Sequence, residues 1–207
     1  MVLGLTAPAA QATTTIFDAG VNVTHGSCLF NIACGDNYYA AQLFTLTNDS
    51  VINAASYVLF NTGAALPTIA NWQFLAANGA GGSPGTLLAS GHSSIPPTLT
   101  YVGANHGDLA YRQFFSFGDI ALSCGSYYFA LQVESTNFFN SLTMGGLSSG
   151  AYDCREGQCS PLYFRSIPSI AVGLYHEEAA PVPEPATYGM LLSGLSILGF
   201  AARRRKR

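Results

Sequence analysis

Trp72-Gln73-Phe74-Leu75-Ala76, then Asn78-Gly79-Ala80-Gly81-Gly82 and Ser83-Pro84-Gly85, then Thr86-Leu87-Leu88-Ala89-Ser90, is the stretch on which the fold turns. In the first run apolar and polar side chains alternate, which is the period of a strand with one covered face. Gly, Asn and Pro then break the chain before a second run begins, so the segment predicts two neighbouring strands joined by a loop. The same pattern recurs on either side. Residues 42–47, 51–60, 98–102, 111–117, 126–133 and 170–175 are short runs rich in β-branched and aromatic side chains. Asn61-Thr62-Gly63, Pro96-Pro97 and Gly103-Ala104-Asn105 punctuate them, and residues 103–107 read as a loop. Gly125-Ser126-Tyr127-Tyr128-Phe129-Ala130-Leu131 reads as an inner strand. No internal repeat is visible, and nothing before the C-terminal tail has the period of an amphipathic helix. These features predict an all-β protein, an antiparallel β-sandwich of jelly-roll type over residues 13–178.

The tail has a different character. Pro183-Glu184-Pro185 lies in a Pro-rich linker, residues 179–185, and is followed by an uncharged apolar stretch, residues 186–202, and by Arg203, Arg204, Arg205, Lys206 and Arg207. As a helix the apolar stretch reaches roughly 25 Å, close to the ~30 Å of a bilayer's hydrocarbon core. A single transmembrane helix is expected there. The cationic cluster stays on the cytoplasmic side as a stop-transfer signal, which places the preceding chain outside. The two prolines hold an extended, accessible backbone just before the helix, because each fixes its own φ and biases its predecessor away from the helical region.

This order of tripeptide, short apolar helix and Arg cluster resembles the PEP-CTERM sorting signal of Gram-negative bacteria that make exopolysaccharide. The resemblance implies that a membrane-embedded transpeptidase, exosortase, recognises the tripeptide and removes the helix and tail, so that this chain is its substrate. Ala41, Phe44-Thr45-Leu46-Thr47 and Ile52, then Trp72 with Phe74, Ser83-Pro84-Gly85-Thr86-Leu87-Leu88 and Gly125-Ser126-Tyr127-Tyr128 are in turn similar to the β-sandwich ectodomain common among PEP-CTERM proteins. That likeness implies a jelly-roll akin to carbohydrate-binding modules, and a fold by itself does not fix a function.

Export requires a signal peptide. Residues 1–12 lack a positive start, yet Ala10-Gln11-Ala12 fits a small-residue cleavage pattern, so they are read as the remnant of a longer signal peptide. Outside the cytoplasm disulfides persist. Local pairing of Cys154 with Cys159 and of Cys28 with Cys34 is the first expectation, leaving Cys124 over, with a distant partner for Cys124 kept open. The spacings do not suit zinc. Five of the eight basic residues lie in the tail, so residues 1–202 hold three against eleven acidic ones, a balance of −8 (3 − 11). Such a chain does not bind nucleic acid, whose phosphates demand a basic face.

For catalysis, His106-Gly107-Asp108 with His176 mimics the facial triad of iron oxygenases, and a solvated loop explains it as well. Asp119 and Glu134 are the acids a glycan hydrolase would need to bring together. Asp36-Asn37 and Asn48-Asp49 fall short of a calcium loop, and Asn22 and Asn48 match glycosylation acceptors only incidentally. No catalytic residue, metal or cofactor is therefore expected. Sugar binding needs an exposed ring against which a pyranose can stack, with amides and acids to bond its hydroxyls. Tyr38, Tyr39, Tyr111 and Tyr152 stand beside polar neighbours and are the platform candidates. The expected protein is exported, held transiently in the inner membrane, and passed to the cell surface or the exopolysaccharide matrix. Its expected role there is structural or adhesive, with weak binding of exopolysaccharide or other surface glycans. A secreted glycan-active enzyme and an inert surface protein are the alternatives.

Overall fold

The computed structural model describes residues 13–27, 39–61, 66–105, 108–134, 141–144, 147, 149–155, 158–161, 169–178 and 195. Thr13–Glu177 forms one compact unit; of the second, Met1–Ala12 with Glu178–Arg207, only Glu178 and Leu195 are among the described residues. The described strands are β1 (Thr13–Asp18), β2 (Asn22–Ser27), β3 (Tyr39–Leu46), β4 (Ser50–Asn61), β5 (Ile69–Ala76), β6 (Leu87–Ser94), β7 (Thr100–Asn105), β8 (Asp108–Leu122), β9 (Gly125–Glu134), β10 (Ser141–Met144), β11 (Ala151–Arg155), β12 (Gln158–Pro161) and β13 (Val172–Glu177). A single 3-10 turn, Ala80–Gly82, lies between β5 and β6.

They form two antiparallel sheets. The first is built on the long β4–β8 pair, with β7 beyond β8. On its other side β4 carries β13 opposite residues 54–57 and β10 opposite Leu59 and Phe60. β1 flanks β13 and β2 flanks β10, so the two run on in one direction along the same edge. Between them Asp18 Oδ1 accepts the Gly20 N–H at 2.8 Å, a local turn that offsets the second half of the edge. The second sheet has the order β12-β11-β3-β9-β5-β6. The all-β, two-sheet expectation holds, and each of the eight runs picked out by pattern falls on a strand. β1, β2, β10, β11 and β12 were not anticipated. The 103–107 loop is corrected: Gly103–Asn105 belong to β7, and Asn105 pairs with Asp108 of β8.

Alternation decides the core. Ile52, Tyr57, Leu59, Phe115, Val172 and Leu174 of the first sheet face Phe44, Trp72, Phe74, Phe129, Leu131 and Val133 of the second, and all are buried. Phe74 alone meets Phe44, Trp72, Phe117 and Phe129 with ring centroids 5.1–6.2 Å apart. The buried polar side chains that bridge the core are partnered, as their desolvation cost requires, whereas the buried His176 Nδ1 has no hydrogen-bond partner among the described residues. Tyr57 donates its hydroxyl to Gln113 Oε1 at 2.7 Å, and Trp72 Nε1 donates to Ser93 Oγ at 3.1 Å. Gln42 Oε1 accepts the Ile170 N–H at 2.9 Å, tying β3 to the approach of β13.

Candidate functional site

The register of the second sheet turns every other residue outward. Tyr39, Ala41 and Leu43 of β3 therefore share its outer face with Asn71, Gln73 and Leu75 of β5, Tyr128, Ala130 and Gln132 of β9, and Tyr152 and Cys154 of β11. Ala41, Leu75, Tyr128, Ala130 and Cys154 make a second apolar cluster there, edged by Tyr39, Leu43, Tyr152 and Cys159. Small alanines in the middle with tyrosines around them leave a relief on this face.

A cleft of about 490 Å³ opens at one end of it. Leu43, Ala77, Ser126 and Tyr128 line its base, Gly81 and Gly82 one wall, and Ser149, Gly150 and Tyr152 the other. The first wall is held by the loop chemistry that marked this stretch in the sequence. Asn78 Oδ1 accepts the Thr86 N–H at 2.9 Å, and Gly79 N–H donates to Ser83 O at 3.0 Å. Tyr128 then donates its hydroxyl to Gly82 O at 2.9 Å, drawing the loop over the sheet. The second wall is set by Gly150, whose carbonyl accepts the Leu43 N–H at 2.8 Å. Its φ of 101° is one that side-chain-bearing residues rarely adopt, and a Cβ there would lie 3.0 Å from Leu43 Cβ, so glycine is favoured on both counts. Tyr152 stands edge-on to Tyr128, centroids 5.3 Å apart and planes at 81°. Burial, and then neighbouring Tyr152, push the Tyr128 phenol above its ordinary range, so it stays protonated and donating.

Further along the same face, outside the cleft, lies a polar group. Asn71 Nδ2 donates to Gln132 Oε1 at 3.2 Å and to Glu134 Oε1 at 2.8 Å. Tyr39 is raised above its usual value chiefly by burial, against the opposing hydrogen bond of Gln73 and with a smaller push from the negative charge of Glu134. Beside Tyr152, Cys154 and Cys159 are bonded to each other and pin the β11–β12 hairpin.

Of the expected platform tyrosines, Tyr39 and Tyr152 thus share one outer face, Tyr152 in the cleft itself. Tyr111 is elsewhere, opposite Leu59 on the first sheet and 5.9 Å from Tyr101. Tyr38, Cys28, Cys34, His106, Asp36 and Asn37 lie outside the described residues, as do Pro183, Glu184, Pro185, the apolar stretch apart from Leu195, and Arg203–Arg207. Cys124 is exposed and free, its N–H donating to Asp49 Oδ1 at 2.9 Å, so Asp49 serves a turn.

The two acids do not converge. Asp119 sits near the end of β8 and accepts from Asn53 at 3.0 Å. Glu134 closes the ten-residue β9 in the other sheet, and ten strand residues span roughly 30 Å. His176 lies on β13 next to Tyr175, which aligns with Ala54 and through it with Ser116. Asp108 is roughly 25 Å away along β8. Among the described residues no three His, Cys, Asp or Glu side chains gather where a metal could sit, and no helix is long and apolar enough to cross a membrane.

The class defined so far is an all-β sandwich domain with an aromatic-walled cleft on one outer face. What the chain does with it is addressed by its other end: residues 181–206 match the family model described as the PEP-CTERM protein-sorting motif, and the chain carries that motif after its sandwich. No curated protein matches the chain. The motif supports an exported protein whose C-terminus is anchored in the membrane before exosortase acts on it.

Proposed function

We propose that this protein is exported, held transiently in the inner membrane by its C-terminal helix, cut near Pro183-Glu184-Pro185 by exosortase, and released to the cell surface or the exopolysaccharide matrix. Its sandwich, of jelly-roll type, then serves a structural or adhesive role there without catalysis. The observation that carries this reading is the motif match over residues 181–206. Eight of the twelve connections between consecutive described strands pass from one sheet to the other, which supports the jelly-roll. C-terminal mass spectrometry of the protein from hosts with and without exosortase tests it. Loss of residues 186–207 only where the enzyme is present is the expected result, and Glu184→Ala should prevent that loss. The same full-length chain in both hosts would reduce the tail to a plain anchor.

The Tyr152 cleft favours weak glycan contact as part of this role. The half-buried Tyr152, with the buried Tyr128 edge-on behind it, supplies a stacking surface, and the amides and one carboxylate further along the face supply hydroxyl partners. With almost no cations in the ectodomain, binding should be insensitive to salt. Retention on a glycan array should fall in Tyr152→Ala and persist in Tyr111→Ala. Equal retention in both would dissociate the cleft from any glycan.

A further inference from the structure

Asn78-Gly79 is the one place in the chain where Asn precedes Gly. Glycine leaves its own nitrogen uncovered and its backbone free to bend, so here a side-chain amide and the next main-chain nitrogen can react with each other. The pair stands at the foot of the Gly81–Gly82 wall of the cleft, Gly79 capping the Ala80–Gly82 turn. Asn78 and Thr86 are exposed, so water reaches both.

The fold brings the two reacting groups close and ties up each of them. A Cβ on Gly85 would run into Asn78 Oδ1 and would lie 2.7 Å from the Gly79 nitrogen, so amide and nitrogen sit beside the same glycine. Both ends of the amide are held by Thr86: Oδ1 accepts its N–H at 2.9 Å, and Nδ2 donates to its Oγ1 at 3.0 Å. The Gly79 N–H is committed to Ser83 O at 3.0 Å. Reaction requires the nitrogen to leave Ser83 and the amide to turn away from Thr86. Tyr128, through its bond to Gly82 O, opposes that opening.

We propose that Asn78 is a self-modification site guarded by these hydrogen bonds. When the loop opens, the Gly79 nitrogen bonds to Asn78 Cγ, and its proton leaves with the side-chain nitrogen as ammonia, closing a succinimide. Water then opens the ring. Opening at the former side-chain carbonyl gives aspartate, opening at the main-chain carbonyl gives isoaspartate, and water is the only co-reactant. Aspartate still accepts the Thr86 N–H and can accept from Thr86 Oγ1, which turns from acceptor to donor. Isoaspartate lengthens the main chain by a methylene and moves the carboxylate off Thr86, so the wall is released. Either product adds a negative charge beside a cleft whose described lining side chains carry none. Loss of ammonia is not reversed, so altered walls accumulate with the age of the protein, whatever the cleft binds.

The test is incubation of the full chain, as recovered from its producing cells, in mildly alkaline buffer. Mass spectrometry of the peptide containing Asn78 reads the conversion and separates aspartate from isoaspartate. Conversion should be at least about tenfold slower in the folded protein than in the same protein unfolded in guanidinium chloride, because more than one bond must open first. Thr86→Val removes only the Oγ1 partner, and Tyr128→Phe frees Gly82. Each should speed conversion in the folded protein by about fivefold, the worth of one hydrogen bond, and leave the unfolded rate unchanged. Hydrogen exchange gives an independent reading: the Thr86 amide should stay protected in Asn78→Asp and lose protection in the isoaspartate fraction. Equal rates in the folded and unfolded protein, no conversion when unfolded, or both variants converting at the natural rate would overturn the proposal.

Discussion

Gly91→Ala tests how closely the two sheets are fitted, because the space a methyl group needs is already filled by Trp72. A Cβ on Gly91 would lie 2.5 Å from Cζ2, 3.0 Å from Cε2 and 3.1 Å from Cη2 of the indole. Carbon atoms rest at about 3.5–4.0 Å, so the ring must retreat by roughly 1 Å. It has little freedom to do so. Its Nε1 is bonded to Ser93 Oγ, its face lies 4.7 Å from the ring of Phe117, and Phe74 meets it edge-on at 6.1 Å. Overpacking of this kind costs about 1–3 kcal/mol, and a strained Ser93 bond adds up to about 1 kcal/mol. The smaller conformational freedom of alanine in the unfolded chain returns about 0.4–1 kcal/mol. The net loss should be about 1–3 kcal/mol, read as a lower urea midpoint by circular dichroism on residues 13–178. Trp72→Phe removes the crowding six-membered ring, so Gly91→Ala in that background should cost less than about 0.5 kcal/mol. Circular dichroism is required because that variant lacks the protein's one tryptophan. Equal costs in the two backgrounds, or no cost in the first, would refute the steric argument.

Tyr39, Tyr57 and Tyr128 all have phenol pKa values raised above 10.0 by burial. The folded state therefore holds them neutral. Its stabilisation by them is complete below pH 10 and falls as pH rises above that value, where the unfolded chain begins to ionise. An absorbance titration of tyrosinate should show these three ionising last, with unfolding; ionisation of all eleven tyrosines in a single step near the ordinary value, with the fold intact, would contradict the burial. Replacing both Cys154 and Cys159 by Ala should lower stability by about 2 kcal/mol, the low end of the usual range, because the bond spans a sequence separation of only 5. Thermal melts of the variant against the oxidised parent measure it. Arg112→Ala should fray β1, since Arg112 reaches Asp18 Oδ2 at 3.0 Å and Tyr175 Oη at 2.8 Å across the outer face of the first sheet. Faster amide exchange in Thr13–Asp18 at unchanged global stability is the expected sign.

The central strands were legible because their two faces differ or are both apolar, and in either case the run stands out from the Gly, Pro and Asn around it. Residues 69–74 alternate cleanly between half-buried and buried positions, and residues 128–133 are buried on both faces. The strands that escaped notice are edge or near-edge pieces. Thr13–Asp18 is mostly exposed and packs on the core only through the adjacent Ile16 and Phe17, at a bulge, and Gln158–Pro161 is four residues held in place by a disulfide, so neither shows an apolar period. The site divides in the same way. Tyr152 was visible by its polar neighbours, whereas Tyr128 was hidden inside an apolar run whose sequence does not say which of Tyr127 and Tyr128 faces out. Only pairing with Leu43 and Leu75 settles that Tyr128 lies on the outer face.

The relation between Tyr128 and Gly82 explains why a cleft exists here rather than a flat sheet. A loop rich in Gly and Asn has no apolar side chains with which to pack, so a bond from the framework must hold it. Tyr128 supplies that bond from a position where its ring is buried and its phenol stays protonated. The loop that first announced the β5–β6 connection in the sequence is thus the wall of the cleft, and the residue that holds it is one the sequence presents as core. Fold and site draw on the same few side chains, so Tyr128→Phe, which keeps the ring and removes only the hydroxyl, should open the Gly81–Gly82 wall while leaving the sandwich folded. Accelerated exchange confined to residues 79–86, with an unchanged unfolding midpoint within about 1 kcal/mol, is the expected outcome. A global loss of stability would mean that the hydroxyl supports the core and not the cleft.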